Sequence, residues 1–365
     1  GDTDNWVWPR HTGDFSIFRV YADADNNPAE YSKDNKPYQP KRHFTVSTKG
    51  VDEGDFTMIY GFPGNTQEYV ISDAVDYVAN VSDPMKIALR TQRLDIISAA
   101  QAESAEVRIA YAAVHANIAN AWKKWQGEVL GLNRLRTAEK KRAYEADFAS
   151  WAASKPEYAN LLDEMHKAYE AVIPGYYMRE LFTESVATIN AYSYARSLYN
   201  AVLAAEKEGK TYDVEKAHQN FLKSYNQDID QAIARRMVDE FCQRVAPESM
   251  PADLKAQIAY YGGAEKYVDA MFRSSRLLGT DPITASDVKG DALVNFVRIF
   301  NNIANDTRNY AYRNLSNVPQ VEQWYRTYMR ALREWDKNRA FYPDANFTLR
   351  VAYGQVAGYE YADAE

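Results

Sequence analysis

Phe56-Thr57-Met58-Ile59-Tyr60-Gly61-Phe62-Pro63-Gly64-Asn65 is followed by Ser72-Asp73 and then by Ser82-Asp83-Pro84, and across these three signals the hydrophobic period of the chain changes. The first block reads as a strand ending in a Pro-Gly-Asn turn. Ser72-Asp73 can cap a short helix, and Ser82-Asp83-Pro84 has the composition that starts a longer one. Beyond it Leu89, Arg93, Ile96, Ile97 and Ala100, then Val107, Tyr111 and Val114, recur at helical spacing.

Helical text continues to about Arg339. Breaks are expected at Lys155-Pro156, Pro174-Gly175, Gly209, Pro247 to Pro251, Gly262-Gly263, Gly279 to Pro282 and Val318-Pro319. This pattern predicts eight or more helices in an irregular bundle, with no fixed-period repeat that would indicate a solenoid. Upstream, Phe15 to Tyr21 and His43 to Ser47 read as further strands, separated by a polar loop from Ala22 to Gln39. Downstream, Phe347-Thr348-Leu349-Arg350-Val351-Ala352-Tyr353-Gly354 returns to strand text. Three strands before the helices cannot close a barrel or sandwich. The simplest topology is a helical domain inserted into a β domain, with residues 1–71 and 343–365 in the β part and 72–342 helical. The fold class expected is therefore α+β, predominantly α. The alternative is two independent domains with a short C-terminal hairpin.

The chain has 365 residues, of which 46% are hydrophobic and 25% charged, enough to bury a core without disulfides or metals. The net charge of -7 offers no basic face for a phosphate backbone, so nucleic acid is not an expected partner. The single cysteine, Cys242, excludes an internal disulfide and a thiolate metal cluster, and it reads as a buried apolar side chain. No stretch is long and apolar enough to span a membrane. No signal peptide is visible, and the chain opens on Gly1-Asp2-Thr3-Asp4 without an initiator Met. Tyrosine and tryptophan are abundant, 28 and 7 residues. They fit aromatic packing between helices, or the surface of a non-catalytic helical module that binds peptide or glycan.

Motifs that carry chemistry on their own are absent. There is no HExxH, P-loop, GxGxxG before a helix or GxSxG, so no serine nucleophile is evident and no cofactor is implied. Asp163, His166 and Glu170 share one helical face, which reads as a solvated or salt-bridged face rather than a metal site. The densest segment is Asp2-Thr3-Asp4-Asn5-Trp6-Val7-Trp8-Pro9-Arg10-His11-Thr12-Gly13-Asp14-Phe15. It can be a contact loop for sugar or peptide. Asp14, standing before an alternating strand, can be a buried acceptor, an Asx-turn residue or a catalytic carboxylate.

Asn5-Trp6-Val7-Trp8-Pro9-Arg10-His11-Thr12-Gly13-Asp14-Phe15-Ser16 resembles the signature stretch of a bacterial family of serine dipeptidyl-peptidases, of the dipeptidyl-peptidase 7 and 11 kind. Tyr31-Ser32-Lys33-Asp34-Asn35, Gly54-Asp55-Phe56-Thr57-Met58, Gly61-Phe62-Pro63-Gly64 and Pro343-Asp344-Ala345-Asn346-Phe347-Thr348-Leu349-Arg350 extend the likeness at both ends of the chain. The resemblance implies a chymotrypsin-like double β-barrel, here partial, with the helical domain inserted as a lid. It implies that Asp14 is the triad aspartate, which holds a histidine in the right tautomer and stabilises the imidazolium. In the family's chain order the histidine precedes Gly1 and the serine follows Glu365, so the chain is expected to be an internal piece that is inactive alone. His11, three residues from Asp14, reads as structural. The resemblance further implies that Asn5, Trp6 and Asn120 bind the free N-terminal ammonium of a peptide substrate, releasing dipeptides. It implies a homodimer in the periplasm or at the cell surface. Preference for the penultimate residue belongs to the region around the serine and is not legible here.

Overall fold

The computed structural model describes residues 5–7, 15–304 and 319–358. Asp14 and His11 lie outside the described residues. Strand β1 (Tyr21–Ala22) pairs antiparallel with β2 (Lys36–Pro37). Strand β3 (Phe56–Gly61) pairs antiparallel with β4 (Arg350–Gln355), in a register running from Phe56 opposite Gln355 to Gly61 opposite Arg350. The chain therefore leaves this ribbon at Gly61 and re-enters it at Arg350, with the helices between. The junction is stitched by a bridge between Asn65 and Asn346. Asp344 Oδ1 accepts from Thr66 Oγ1 at 2.7 Å and from the Glu68 amide at 2.9 Å. This pairing joins two segments that lie on either side of the helices.

The other expected strands differ. Phe15 to Val20 and His43 to Ser47 carry no strand pairing. Strand text becomes strand only where a neighbour's N–H and C=O groups meet it, and apart from the Tyr38 amide, which donates to the Val20 carbonyl at 2.9 Å beside β1, no backbone hydrogen bond reaches these segments from another described residue. Their apolar side chains stand in solvent, with Ile17 88% and Phe44 97% exposed.

The helical body contains α1 (Ser72–Tyr77), α2 (Asp83–Glu103), α3 (Ala105–Arg134), α4 (Thr137–Ala152) and α5 (Leu161–Glu184). It continues with α6 (Asn190–Lys207), α7 (Val214–Leu222), α8 (Gln227–Arg244), α9 (Ala252–Tyr261) and α10 (Ala264–Ser274). Short helices α11 (Ala285–Gly290) and α12 (Ala292–Ile299) follow, and α13 (Pro319–Trp335) closes the body before β4. The protein is predominantly α with small antiparallel sheets.

Ser82 does not cap a new helix. Residues Val78–Ser82 form a π-helical turn that joins α1 to α2 without a break. The cause is Pro84, which has no N–H to offer and whose ring crowds the carbonyl four residues back, so the turn widens. Ser72 is likewise not an N-cap. Its amide and hydroxyl both donate to the Glu145 carboxylate of α4 at 2.6 Å, so the first turn of α1 is satisfied from another helix. Pro174 does not break α5 either. The helix is held on both sides of it, by Met165 and Tyr169 in one core and Leu181 and Phe182 in another.

Two apolar clusters carry the fold. The larger packs α2, α3, α5, α6, α8, α10 and α12 around residues such as Leu89, Tyr192, Phe241 and Phe296. The smaller packs α1, α4, α5 and α13 around Phe148, Tyr169 and Tyr328. Much of the aromatic surplus packs in these clusters, in part as edge-to-face pairs such as Tyr192–Phe296 at 5.9 Å and Phe148–Tyr328 at 5.3 Å.

Candidate active site

Asn120 lies on α3, exposed, directly after the buried pair Ile118 and Ala119. Its side chain meets the N-terminal segment across more than a hundred residues of sequence. Asn5 Nδ2 donates to Asn120 Oδ1 at 3.0 Å, and Trp6 Nε1 donates to the same oxygen at 2.8 Å. An indole N–H can only donate, so the atom facing it is the amide oxygen. That fixes the orientation of Asn120 and, through it, that of Asn5, whose nitrogen is turned inward. Both lone pairs of Asn120 Oδ1 are then in use. The sequence reading sends the Asn120 oxygen to an ammonium ion. The geometry instead leaves Asn5 Oδ1 as the amide acceptor not spent within the trio.

Trp6 adopts a left-handed backbone with φ of 62°, which a bulky residue holds only where its surroundings fix it. The indole hydrogen bond to Asn120 is one such constraint. Trp6 is 53% exposed.

Beneath Asn120, α3 is bolted to α2. Arg90 Nη1 donates to the Ile118 backbone oxygen at 3.0 Å, and Trp122 Nε1 donates to Thr91 Oγ1 at 2.8 Å. Arg90 also grips Glu184 of α5 in a fork, at 2.9 Å from Nε and 2.8 Å from Nη2, and lies 4.4 Å above the Trp125 ring. Arg93, part of the apolar stripe in the sequence, is buried and reaches Glu184 at 3.7 Å, and burial lowers its guanidinium to about 10. Arg90, Thr91, Trp122 and Glu184 escape a sequence reading. The available signals were a charged residue, Arg93, inside an apolar stripe and the Trp122-Lys123-Lys124-Trp125 run beside Asn120.

A cleft of about 510 Å³ opens between α1, α2, α3 and α5, lined in part by Tyr77, Asp83, Lys86, Glu128 and Glu180. Lys86 bridges Asp83 at 2.9 Å and Glu180 at 3.3 Å, and Glu180 also accepts from Tyr77 and Ser82. Burial pushes the Asp83 carboxyl up to about 6 against the pull of Lys86. Asn5, Trp6 and Asn120 do not line this cleft.

Among the described residues no three His, Cys, Asp or Glu side chains stand together to hold a metal. His166 instead pairs with Asp73 of α1. Among the same residues no helix is long and apolar enough to cross a membrane. Cys242 is half-buried, and burial pushes its thiol up to about 12.

The chain is 37% identical over 380 residues to an Asp/Glu-specific dipeptidyl-peptidase of Capnocytophaga gingivalis, covering 100% of this chain and 53% of that protein. It is 34% identical to the dipeptidyl-peptidase 7 of Porphyromonas gingivalis, covering 100% of this chain and 52% of that one. Among solved structures, DPP11 of Porphyromonas endodontalis in complex with the dipeptide Arg-Asp superposes with a TM-score of 0.77 at 29% identity, over 100% of this chain and 54% of that one. The same protein in an alternate conformation superposes at 0.60. The chain spans about half the length of the curated relatives it matches. The Peptidase S46 model matches residues 1–365, and the chain belongs to that peptidase family.

Proposed function

We propose that this chain is the part of a serine dipeptidyl-peptidase that recognises the substrate's free N-terminus and supplies the triad aspartate. The observation that carries this reading is the convergence of Asn5 and Trp6 with Asn120. Two segments far apart in sequence meet at one exposed point, and each brings a residue type suited to an ammonium ion. Asn5 Oδ1 accepts from the ammonium without adding charge, and the Trp6 ring offers it an aromatic face. Asn120 holds both in place. Asp14, eight residues beyond Trp6, orients and stabilises the catalytic histidine. Histidine and serine stand in the half of the protein that this chain does not cover. Binding at the amine end sets the length of what is released, since the distance from the ammonium to the scissile bond spans two residues.

The helices form a lid on a chymotrypsin-like β-barrel, of which residues 1–71 and 343–365 are a part. Two facts support the lid. β3 and β4 flank the helical insertion directly, and the related DPP11 exists in two arrangements that match this chain unequally. Closure would exclude water from the reaction while Asn120 stays on the Asn5–Trp6 loop, where it already stands. The protein acts as a homodimer in the periplasm or at the cell surface. A peptide- or glycan-binding module built on exposed aromatics finds less support, because much of the aromatic surplus packs in the core.

The test uses the full-length protein and a chromogenic dipeptidyl substrate. Asp14→Asn is expected to lower kcat by about 10⁴-fold with KM little changed, as loss of the correct histidine tautomer does. Asn120→Ala is expected to raise KM by about 10-fold with a smaller change in kcat. Near-full activity of Asp14→Asn, or an unchanged KM for Asn120→Ala, would refute the respective role.

A further inference from the structure

Asn120 is an exposed side chain in a 30-residue helix, and helices of that length bend. Its usefulness depends on where one turn of α3 sits. That turn is fixed at two points, and both anchors are adjacent residues of α2. Arg90 holds the Ile118 carbonyl two residues before Asn120, and Thr91 holds the Trp122 indole two residues after it. The Ile118 carbonyl already accepts the intrahelical bond from residue 122, so Arg90 takes its second lone pair. The Thr91 hydroxyl is itself oriented by donating to the Ile87 carbonyl at 2.8 Å, which presents its lone pair to the indole.

Arg90 is in turn immobilised. Glu184 takes two of its N–H groups from α5, and the Trp125 ring covers one face of the guanidinium. One side chain thereby ties α2, α5 and α3 together around the turn that bears Asn120. Such a half-buried ionic network adds little net stability compared with apolar packing of the same volume. A planar fork with fixed donor directions does specify position, and a lysine cannot replace it because a single ammonium has no fork.

We infer that Arg90 is a positioning residue for amine recognition: it sets the turn of α3 that carries Asn120, and through Asn120 Oδ1 the side chains of Asn5 and Trp6. The inference rests on the reading that this trio binds the substrate's ammonium. Arg90 itself touches none of the trio's side chains, so its effect must appear as a loss of discrimination for the amine.

The test compares Arg90→Lys, Thr91→Val and Asn120→Ala in the full-length protein. Each is assayed with a dipeptidyl substrate and with its des-amino analogue, in which hydrogen replaces the N-terminal amine. Far-UV circular dichroism and thermal midpoints establish that each variant folds. Arg90→Lys is expected to raise KM for the free-amine substrate about 10-fold, with kcat within about twofold and the analogue's kinetics unchanged. Thr91→Val, which keeps Arg90 and loses only the second anchor, is expected to shift the same ratio in the same direction by about 3-fold. If Arg90→Lys folds and keeps its preference for the amine while Asn120→Ala loses it, Arg90 has no positioning role. Equal losses on both substrates would likewise overturn the inference, since they mark a purely structural part. If Asn120→Ala keeps the preference, the amine-binding reading itself falls, and the inference with it.

Discussion

Asp230 shows how one buried carboxylate can organise a helix start. It accepts from the amides of Asn190 and Ala191 at 2.7 and 2.8 Å and from the Tyr225 hydroxyl at 3.0 Å, and so caps α6 from α8. Burial pushes its carboxyl from 3.8 up to about 6 against the pull of these donors. An acid with a raised folded-state pKa keeps its proton longer in the folded chain than in the unfolded one. Between pH 4 and 6 the unfolded chain therefore ionises first, and stability falls as pH rises. Relative to Asp230→Asn, which cannot ionise, the wild-type chain is expected to lose about 3 kcal/mol across that window, and to stay at the lower level above it. Urea unfolding of both proteins at pH 4, 5, 6 and 7 measures the difference; a flat difference would show that the donors keep Asp230 ionised throughout. The candidate site was legible at the same scale only in part. Asn5, Trp6 and Asn120 could be named because the resemblance named them. Which atom faces which could not, because it follows from an indole that only donates. Arg90 and Glu184 could not be named either, because the fork that joins them needs α2 and α5 side by side.

At the scale of the element, propensity and burial compete, and burial decides the cases that local rules misjudge. Pro174-Gly175 is a break by local rules, yet α5 runs from Leu161 to Glu184 because Met165 and Tyr169 lock one half into the smaller core and Leu181 and Phe182 lock the other into the larger. Pro174 is exposed, so its ring displaces no core side chain, but it forfeits one backbone hydrogen bond and crowds the carbonyl four residues back. Pro174→Ala restores that bond and is expected to stabilise the protein by about 2 kcal/mol, less than the full helix-interior difference because the unfolded chain regains freedom. An increase in the urea midpoint at unchanged slope would show it; an unchanged midpoint would mean that α5 accommodates the ring without strain. The same competition explains what was readable elsewhere. Breaks at Gly209 and at Gly262-Gly263 hold because these glycines take left-handed or extended-positive φ values of 66°, 76° and 142° that other residues resist. Ser72 and Ser82 look like caps, but a carboxylate from α4 and a π turn before Pro84 do the work instead. Strands fared worst, since a strand is defined by a partner that sequence alone does not supply.

Across the whole molecule, apolar surface is distributed in a way a self-contained domain avoids. The helical body encloses a large set of apolar side chains, with Phe148, Phe241 and Phe296 fully buried, although single residues such as Ile109 and Tyr260 stand exposed. The β segments do the reverse: Phe56, Ile59, Tyr60, Val351 and Tyr353 are each more than half exposed, and they occupy both faces of the β3–β4 ribbon. A two-stranded ribbon without a covered face is marginal in water, and exposed apolar area of this extent marks surface that another element packs against. The relatives' greater length supplies room for those elements. The chain expressed alone should therefore behave as a stable helical body with weakly held β arms. Limited proteolysis read by mass spectrometry is expected to cut within residues 15–62 and 343–358 before it cuts within the helical segments 72–299 and 319–335. The preparation is expected to bind a hydrophobic dye and to release no dipeptide. In the full-length protein the same segments should resist cleavage, because their backbone groups then sit in a complete sheet. Protection of the β3–β4 ribbon equal to that of α6 in the isolated chain would show that the ribbon is stable by itself, and would remove the argument that it belongs to a larger barrel.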